Sequence, residues 1–421
     1  MKKDNFFITT PIYYPSGQPH MGHAYSSILA DVFARFCRND NCKVLFLTGT
    51  DEHGLKIQRA AEEKSLAPID YCNKLSEVFK DLTKKLNLSN DDFIRTTEKR
   101  HYIAVNDLWN RLVKSGDIYL SKYKGWYSVS DEAYYDSGEI LDKNGKKFSS
   151  FSGSPVEWVE EDSFFFKLSS WQKKLLEFYK KNEKFILPIS RRNEVINFVK
   201  SGLKDLSVSR TSFTWGIKVP ENDSHVIYVW LDALTNYLSA LNFPNTDDQL
   251  YKSYWPASLH VIGKDILRFH AIYWPAFLMA ANIKPPKRVF SHGWILSGDE
   301  KMSKSKGNIL NPLEIIDTYG IDELRYYLMK EVSHGSDGNI SLENLKRCIN
   351  SDLANNYGNL CQRVFSFIKN NCQNKVIKTK NISDADKKLI EQTKVLTRDL
   401  RKEMNNQNLN NYIKSVINIS F

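Results

Sequence analysis

A β-branched and aromatic stretch, Phe6-Phe7-Ile8-Thr9-Thr10-Pro11-Ile12-Tyr13-Tyr14, constrains this chain most. Such a run predicts a strand over 6–14 that is buried on both faces. The turn formers Pro15-Ser16-Gly17-Gln18-Pro19 follow, and then Ile28, Leu29, Val32, Phe33 and Phe36 recur at helical spacing. A buried strand leading through a turn into a helix is half of a βαβ unit, and belongs in a parallel sheet covered by helices. A second strand over 44–49, with helical patterns around it, continues the alternation. Residues 1–115 therefore read as the first half of a nucleotide-binding sheet.

The turn carries Pro19-His20-Met21-Gly22-His23, at the expected start of the helix. Backbone N–H groups and the helix dipole favour an anion there, imidazole N–H groups add hydrogen bonds to phosphate oxygens, and Gly22 lets a flat ligand lie close. Two histidines at this spacing suit half a metal site or plain surface polarity equally well, so the pair alone does not choose. A second element is the segment 298–308, Gly-Asp-Glu-Lys-Met-Ser-Lys-Ser-Lys-Gly-Asn. Lys301, Lys304 and Lys306 stand among Ser303 and Ser305 between two glycines, which suits a loop closing over a polyphosphate. Alone, it reads more readily as a solvated turn. Together, the two elements favour phosphate binding.

His-Met-Gly-His near the start and Lys-Met-Ser-Lys-Ser further on resemble the two signatures of class I aminoacyl-tRNA synthetases. Three more stretches narrow the resemblance to the methionyl-tRNA synthetases: Thr48-Gly49-Thr50-Asp51-Glu52-His53-Gly54, Tyr228-Val229-Trp230-Leu231-Asp232-Ala233-Leu234-Thr235-Asn236-Tyr237, and Ile262-Gly263-Lys264-Asp265 followed by Phe269-His270-Ala271-Ile272-Tyr273-Trp274-Pro275. The match runs from about residue 5 to Arg363. It implies an α/β fold: a Rossmann-type parallel-sheet catalytic domain in two halves, 1–115 and 227–299. The strands returning to that sheet are expected at 226–230, 259–263 and 288–296. An inserted small α+β connective domain would occupy 116–226, the lysine loop and its linking segment 300–345, and an α-helical anticodon-binding region 346–421. That region is usually longer in the family, so truncation, weakened anticodon recognition and poor tRNA charging are expected.

The resemblance also implies the reaction. Methionine is activated with ATP to methionyl-adenylate and pyrophosphate, then transferred to the 3′-terminal ribose of tRNA(Met), initiator included. His20, His23, Lys301 and Lys304 are the expected catalytic residues. ATP would lie against His20, Gly22, His23, Gly263, Lys264, Asp265, His292, Gly293, Trp294, Ile295, Lys301, Met302, Ser303, Lys304 and Ser305. Methionine would lie against Pro11, Ile12, Tyr14, Asp51, Trp230, Ala233, Leu234, Tyr237, His270 and Tyr273. Asp51, just past a strand, would hold the substrate ammonium, with a helix-capping aspartate as the alternative. An aromatic wall suits a thioether, because sulfur makes favourable contacts with ring edges; without the resemblance, Trp230 and Tyr237 read equally well as core aromatics. Arg210 suits bracing of the catalytic domain, tRNA contact or plain surface. Tyr326 and Tyr327 read as scaffold, 335–338 as a turn, and Arg363 and Lys369 as solvated face before tRNA contacts.

Composition supplies the remaining limits. At 421 residues, two to four domains are expected, and 42% hydrophobic content with 13% aromatics supports a substantial core. No run of about 18 apolar residues predicts a membrane span, and no signal region precedes the first strand. A formal charge of +10 favours a polyanionic partner, with tRNA rather than DNA expected. The six cysteines, Cys37, Cys42, Cys72, Cys348, Cys361 and Cys372, show no Cys-x-x-Cys spacing. Free thiols in a reducing cytoplasm are expected, with no structural zinc, as in the shorter zinc-free bacterial and organellar branch. ATP would bring Mg2+ with it. A monomer is expected. Leucyl, isoleucyl and valyl enzymes carry a longer editing insertion than 116–226 allows. A tRNA-independent adenylate-forming enzyme and a catalytically silent tRNA-binding relative also compete; the lysine loop weighs against the first, and the filled catalytic positions against the second.

Overall fold

The computed structural model describes residues 4–15, 17–131, 133–143, 145–297, 300–301, 310–332, 335–376, 378 and 381–418. The chain divides into two compact units. One comprises Met1–Pro19 and Ala30–Ser291, the other His20–Leu29 and His292–Phe421.

In the first unit a six-stranded sheet is ordered Asp92–Arg95, Lys43–Thr50, Asn5–Thr9, Leu259–Gly263, Val289–His292, Ile186–Leu187. Asn5–Thr9 pairs in parallel with both Lys43–Thr50 and Leu259–Gly263. Phe7 and Ile8 point to opposite faces and both are fully buried, as a helix-covered parallel strand requires. The strand stops at Thr9, short of the expected 14. Pro11 has no N–H to continue the ladder, and pairing resumes only at Tyr13, whose N–H donates to the Gly49 carbonyl at 2.8 Å. The Thr10 N–H still donates to the Leu47 carbonyl at 3.0 Å, so the break turns Pro11 and Ile12 out of the ladder at the strand's carboxyl end.

The expected return to the parallel sheet at 226–230 is corrected. Asn222–Ile227 pairs antiparallel with Ser209–Arg210 and Lys218–Val219 in a separate small sheet. Val229–Leu234 is helical, so Trp230 stands on a helix. The run Val226–Leu234 is buried almost throughout, and without an exposed face its periodicity does not distinguish strand from helix. The sheet is rejoined at Leu259–Gly263, as expected. The predicted strand at 288–296 is two strands, Val289–His292 in the parallel sheet and Ile295–Ser297 in another.

Between these halves, Ile118–Ser128 and Glu157–Phe166 form a long antiparallel pair flanked by Leu206–Ser207 and Ala133–Tyr135. Asp131 organises the adjoining turn: its carboxylate accepts from Ser152 Oγ, from Ser154 Oγ at 2.8 Å and from Tyr135 Oη at 2.8 Å. Arg210 is buried, stacks over the Tyr228 ring at 4.3 Å and donates to Ser207 Oγ at 2.9 Å. It braces this unit from within, and the surface reading is excluded.

The second unit is mostly helical after Asn311. Helices span Pro312–Tyr319, Ile321–Glu331, Leu342–Cys348, Asn359–Asn371, Asp384–Asn405 and Leu409–Ile417, with a π-helical segment at Ile349–Gly358. Tyr327 is buried and its hydroxyl donates to the Ser341 carbonyl at 3.0 Å; Tyr326 donates to Asp352 at 2.9 Å. Both are scaffold. Arg363 and Lys369 are exposed on Asn359–Asn371. Among the described residues, no helix is long and apolar enough to cross a membrane.

Candidate active site

The strand order reverses at the pair Asn5–Thr9 and Leu259–Gly263, with the connecting chain leaving to opposite sides. Doubly wound sheets take their ligands in the crevice at the carboxyl ends of such a pair. Pro11, Ile12 and Tyr14 follow the first strand. Gly263 ends the second, and Lys264 and Asp265 stand in the short 3₁₀ turn that follows it. Asp51 follows the neighbouring strand Lys43–Thr50 and is 6% exposed, its N–H donating to the Tyr13 carbonyl at 2.9 Å. The next carboxylate, Glu52, is fully buried and committed elsewhere. It accepts from Arg95 at 2.7 and 3.0 Å and from Thr50 Oγ1 at 2.6 Å.

The aromatic wall lies in the same unit. Trp230 stacks face to face on Phe269, centroids 3.7 Å apart and planes 6° from parallel. Ala233, Leu234 and Tyr237 are buried on the segment after Trp230. His270 lies in a π-helical turn, Phe269–Tyr273, a local irregularity often found at functional sites. Its Nδ1 lies 3.0 Å from the Ile266 carbonyl, which only accepts, so Nδ1 carries the proton. Nε2 must then accept, and the Tyr237 hydroxyl donates to it at 2.8 Å. Burial pushes the His270 pKa down to about 4 and holds His260 well below the ordinary histidine value. Burial raises Tyr237, and pushes Tyr273 up to about 12. The wall is therefore neutral at pH 7. It pairs large apolar ring faces with one oriented hydroxyl, which suits an uncharged, polarisable side chain.

In the second unit, His20 precedes the helix Met21–Asn39 and His23 lies in its first turn. Their rings lie close and tilted, centroids 3.8 Å apart and planes 31° from parallel. The His20 backbone N–H donates to His23 Nδ1 at 3.0 Å, and the Gly22 N–H donates to His20 Nδ1 at 3.1 Å. Both Nδ1 atoms are acceptors, so each neutral ring carries its proton on Nε2, giving two N–H donors suited to an anion. A Cβ on Gly22 would sit 2.9 Å from His20 Cε1, so glycine here seats the His20 ring. His292 is buried; its Nε2 pairs with Ser26 Oγ at 2.7 Å and its Nδ1 with the Gly293 carbonyl at 2.8 Å. A Cβ on Gly293 would meet the Ser336 carbonyl oxygen at 2.0 Å, and the Trp294 N–H donates to Asp337 at 2.9 Å. The expected turn at 335–338 thus packs on Gly293. Ile295 opens a short strand that pairs with Glu300–Lys301. Met302, Ser303, Lys304 and Ser305 lie outside the described residues. Among the described residues, no group of three or more His, Cys, Asp or Glu side chains could hold a metal ion.

A family model described as tRNA synthetases class I (M) matches residues 6–365. The methionine–tRNA ligase of Brucella suis is 51% identical over 410 residues, covering 97% of this chain and 79% of that protein. The chain belongs to the class I methionyl-tRNA synthetases. The methionine–tRNA ligase of Rickettsia typhi is 56% identical over 374 residues, covering 89% of this chain and 73% of its own length. Among solved structures, Mycobacterium tuberculosis methionyl-tRNA synthetase in complex with methionyl-adenylate is 46% identical, with a TM-score of 0.97 over 99% of this chain and 82% of that one.

Several residues around the aromatic wall escaped sequence reasoning. Phe269 and Trp274 stood inside a quoted motif without a role. Phe269 covers the Trp230 face, and Trp274 is fully buried with its ring 6.2 Å from Tyr237. His260 pairs with Thr9 at 2.8 Å and stacks on Tyr237 at 4.1 Å. Asp232 was visible only as the polar residue in a buried helix. A carboxylate amid Val229, Leu231, Ala233 and Leu234 requires buried donors, and that was the available signal.

Proposed function

We propose that this synthetase activates L-methionine with ATP and charges tRNA(Met), through the residues assembled above. A carboxylate oxygen of methionine attacks the α-phosphorus of ATP, the α–β bridging P–O bond breaks, and pyrophosphate leaves with methionyl-adenylate remaining. A terminal ribose hydroxyl of tRNA then attacks the activated carbonyl and AMP departs. Positioning and charge stabilisation supply most of the acceleration. His20 and His23 donate from Nε2 to phosphate oxygens. Lys301 and Lys304 act on the departing pyrophosphate, Lys304 most strongly, with Met302, Ser303 and Ser305 shaping their loop. Gly263, Lys264, Asp265, His292, Gly293, Trp294 and Ile295 serve the nucleotide. ATP enters as its magnesium complex, the cation belonging to the substrate.

Asp51 holds the ammonium group, while Pro11, Ile12, Tyr14, Trp230, Ala233, Leu234, Tyr237, His270 and Tyr273 surround the side chain. The reading rests on one observation above all: a 46% identical synthetase structure contains methionyl-adenylate and superposes at a TM-score of 0.97. The partners are methionine and tRNA(Met), the working form a monomer and the compartment the cytoplasm. Pyrophosphate exchange tests the activity. Methionine should support it and leucine should not; exchange driven by leucine, or by no amino acid, contradicts the reading. Lys304→Ala should lower adenylate formation by about a hundredfold or more with methionine binding nearly intact. Equal loss of both would make the lysine structural.

A further inference from the structure

Asp232 is fully buried on the helix Val229–Leu234 and accepts two hydrogen bonds, one on each carboxylate oxygen. His53 Nδ1 donates to Oδ2 at 2.7 Å, and His101 Nε2 donates to Oδ1 at 2.6 Å. Both imidazoles are buried and both are tied behind. His53 Nε2 lies 3.1 Å from the Tyr102 hydroxyl, and His101 Nδ1 lies 2.9 Å from Ser239 Oγ. Burial works to raise the Asp232 carboxyl pKa, and the two imidazoles outweigh it, holding the pKa at about 2. The carboxylate is thus charged at pH 7 and saturated by fixed donors.

What this cluster joins gives it meaning. His53 is two residues from Asp51, and its carbonyl accepts from the Tyr14 hydroxyl at 2.5 Å. Asp232 lies between Trp230 and Ala233–Leu234 on one helical turn. The loop that would hold the ammonium and the helix that would face the thioether are therefore pinned together by one carboxylate, from positions 179 residues apart. We propose that Asp232, gripped by His53 and His101, is a positioning residue that fixes the span between the ammonium and thioether ends of the amino-acid pocket. It touches no substrate; it acts through Asp51 and Trp230. The inference rests on the methionine-activating reading above.

The test is steady-state pyrophosphate exchange with methionine and with ethionine, which is one methylene longer, on the full chain. Asp232→Asn keeps the shape but cannot accept from both imidazoles. The variant should raise KM for methionine about tenfold or more, leave KM for ATP within about twofold, and shrink the methionine-over-ethionine preference in kcat/KM about tenfold, since one methylene is worth roughly 10–200-fold in a fitted pocket. His53→Leu, which cannot donate, should behave alike, and His53→Gln, whose amide N–H can, should recover most of the methionine KM. This pair decides the matter even where Asp232→Asn fails to fold. Unchanged methionine KM and ethionine preference in folded variants, or equal rises in both KM values, would overturn the proposal. Absence of methionine-dependent exchange in the wild type would instead contradict the activity itself.

Discussion

The hydrogen bond from Tyr237 to His270 has a direction fixed from its far end, because the Ile266 carbonyl holds the proton on Nδ1. Tyr237→Phe removes the donor and leaves a buried Nε2 lone pair unsatisfied. The expected loss is about 1–3 kcal/mol in urea unfolding, with a raised methionine KM. The pH dependence follows from the same ring. Its folded-state pKa is about 4 against an ordinary 6.5, so the unfolded chain binds the proton more readily. Its contribution is complete above about pH 6.5 and is lost as pH falls from there towards 4. Between pH 7 and pH 5 that loss amounts to about 2 kcal/mol. Urea midpoints at the two pH values measure it, and His270→Gln should flatten the difference by a similar amount. The positions of single residues were legible where they follow from the local chain, as for Asp51 just past a strand. They were illegible where the partner is distant: nothing near Asp232 in the chain announces His53 or His101.

At the level of elements, the strand pair Lys43–Thr50 and Asp92–Arg95 leaves no room beside Gly49. A Cβ there would lie 2.0 Å from the Ile94 carbonyl oxygen, a backbone atom that cannot swing away. Gly49→Ala should therefore cost about 3 kcal/mol or prevent folding, read by urea unfolding and circular dichroism. The glycine was visible in the sequence within Thr48-Gly49-Thr50, but its reason lies in the neighbouring strand. Elements with one exposed face or a clear breaker were read well. The helix after the histidine turn, set off by Pro15 and Pro19, is a case. Among elements buried all round, the strand Leu259–Gly263 was read and the short helix was not: Val229–Leu234 offered no polar face by which to count its period. The strand expected to reach 14 ended at Thr9 because Pro11 cannot pair, and proline's local rule should have outweighed the apolar run. The π-helical turn under His270 has no sequence signature short of the motif itself.

Across the whole molecule, 59 basic against 49 acidic side chains give the +10 charge that a polyanion would meet. Charging of tRNA should weaken steeply with added salt, because phosphate contacts release counterions. Methionine-dependent exchange in the same buffers should weaken less steeply, since ATP and pyrophosphate carry far fewer phosphates than tRNA. Equal sensitivity of both would place the salt effect in the pocket rather than at tRNA. The order of motifs carried the fold class; the division into Met1–Pro19 with Ala30–Ser291, and His20–Leu29 with His292–Phe421, was not foreseen, since it cuts through one continuous helix. The most direct measurement is a crystal structure of this chain grown with methionine and ATP. Methionyl-adenylate should appear with its ammonium on Asp51 and its sulfur beside Trp230 and Tyr237, whereas a methionyl group bound elsewhere, with that wall untouched, would contradict the account.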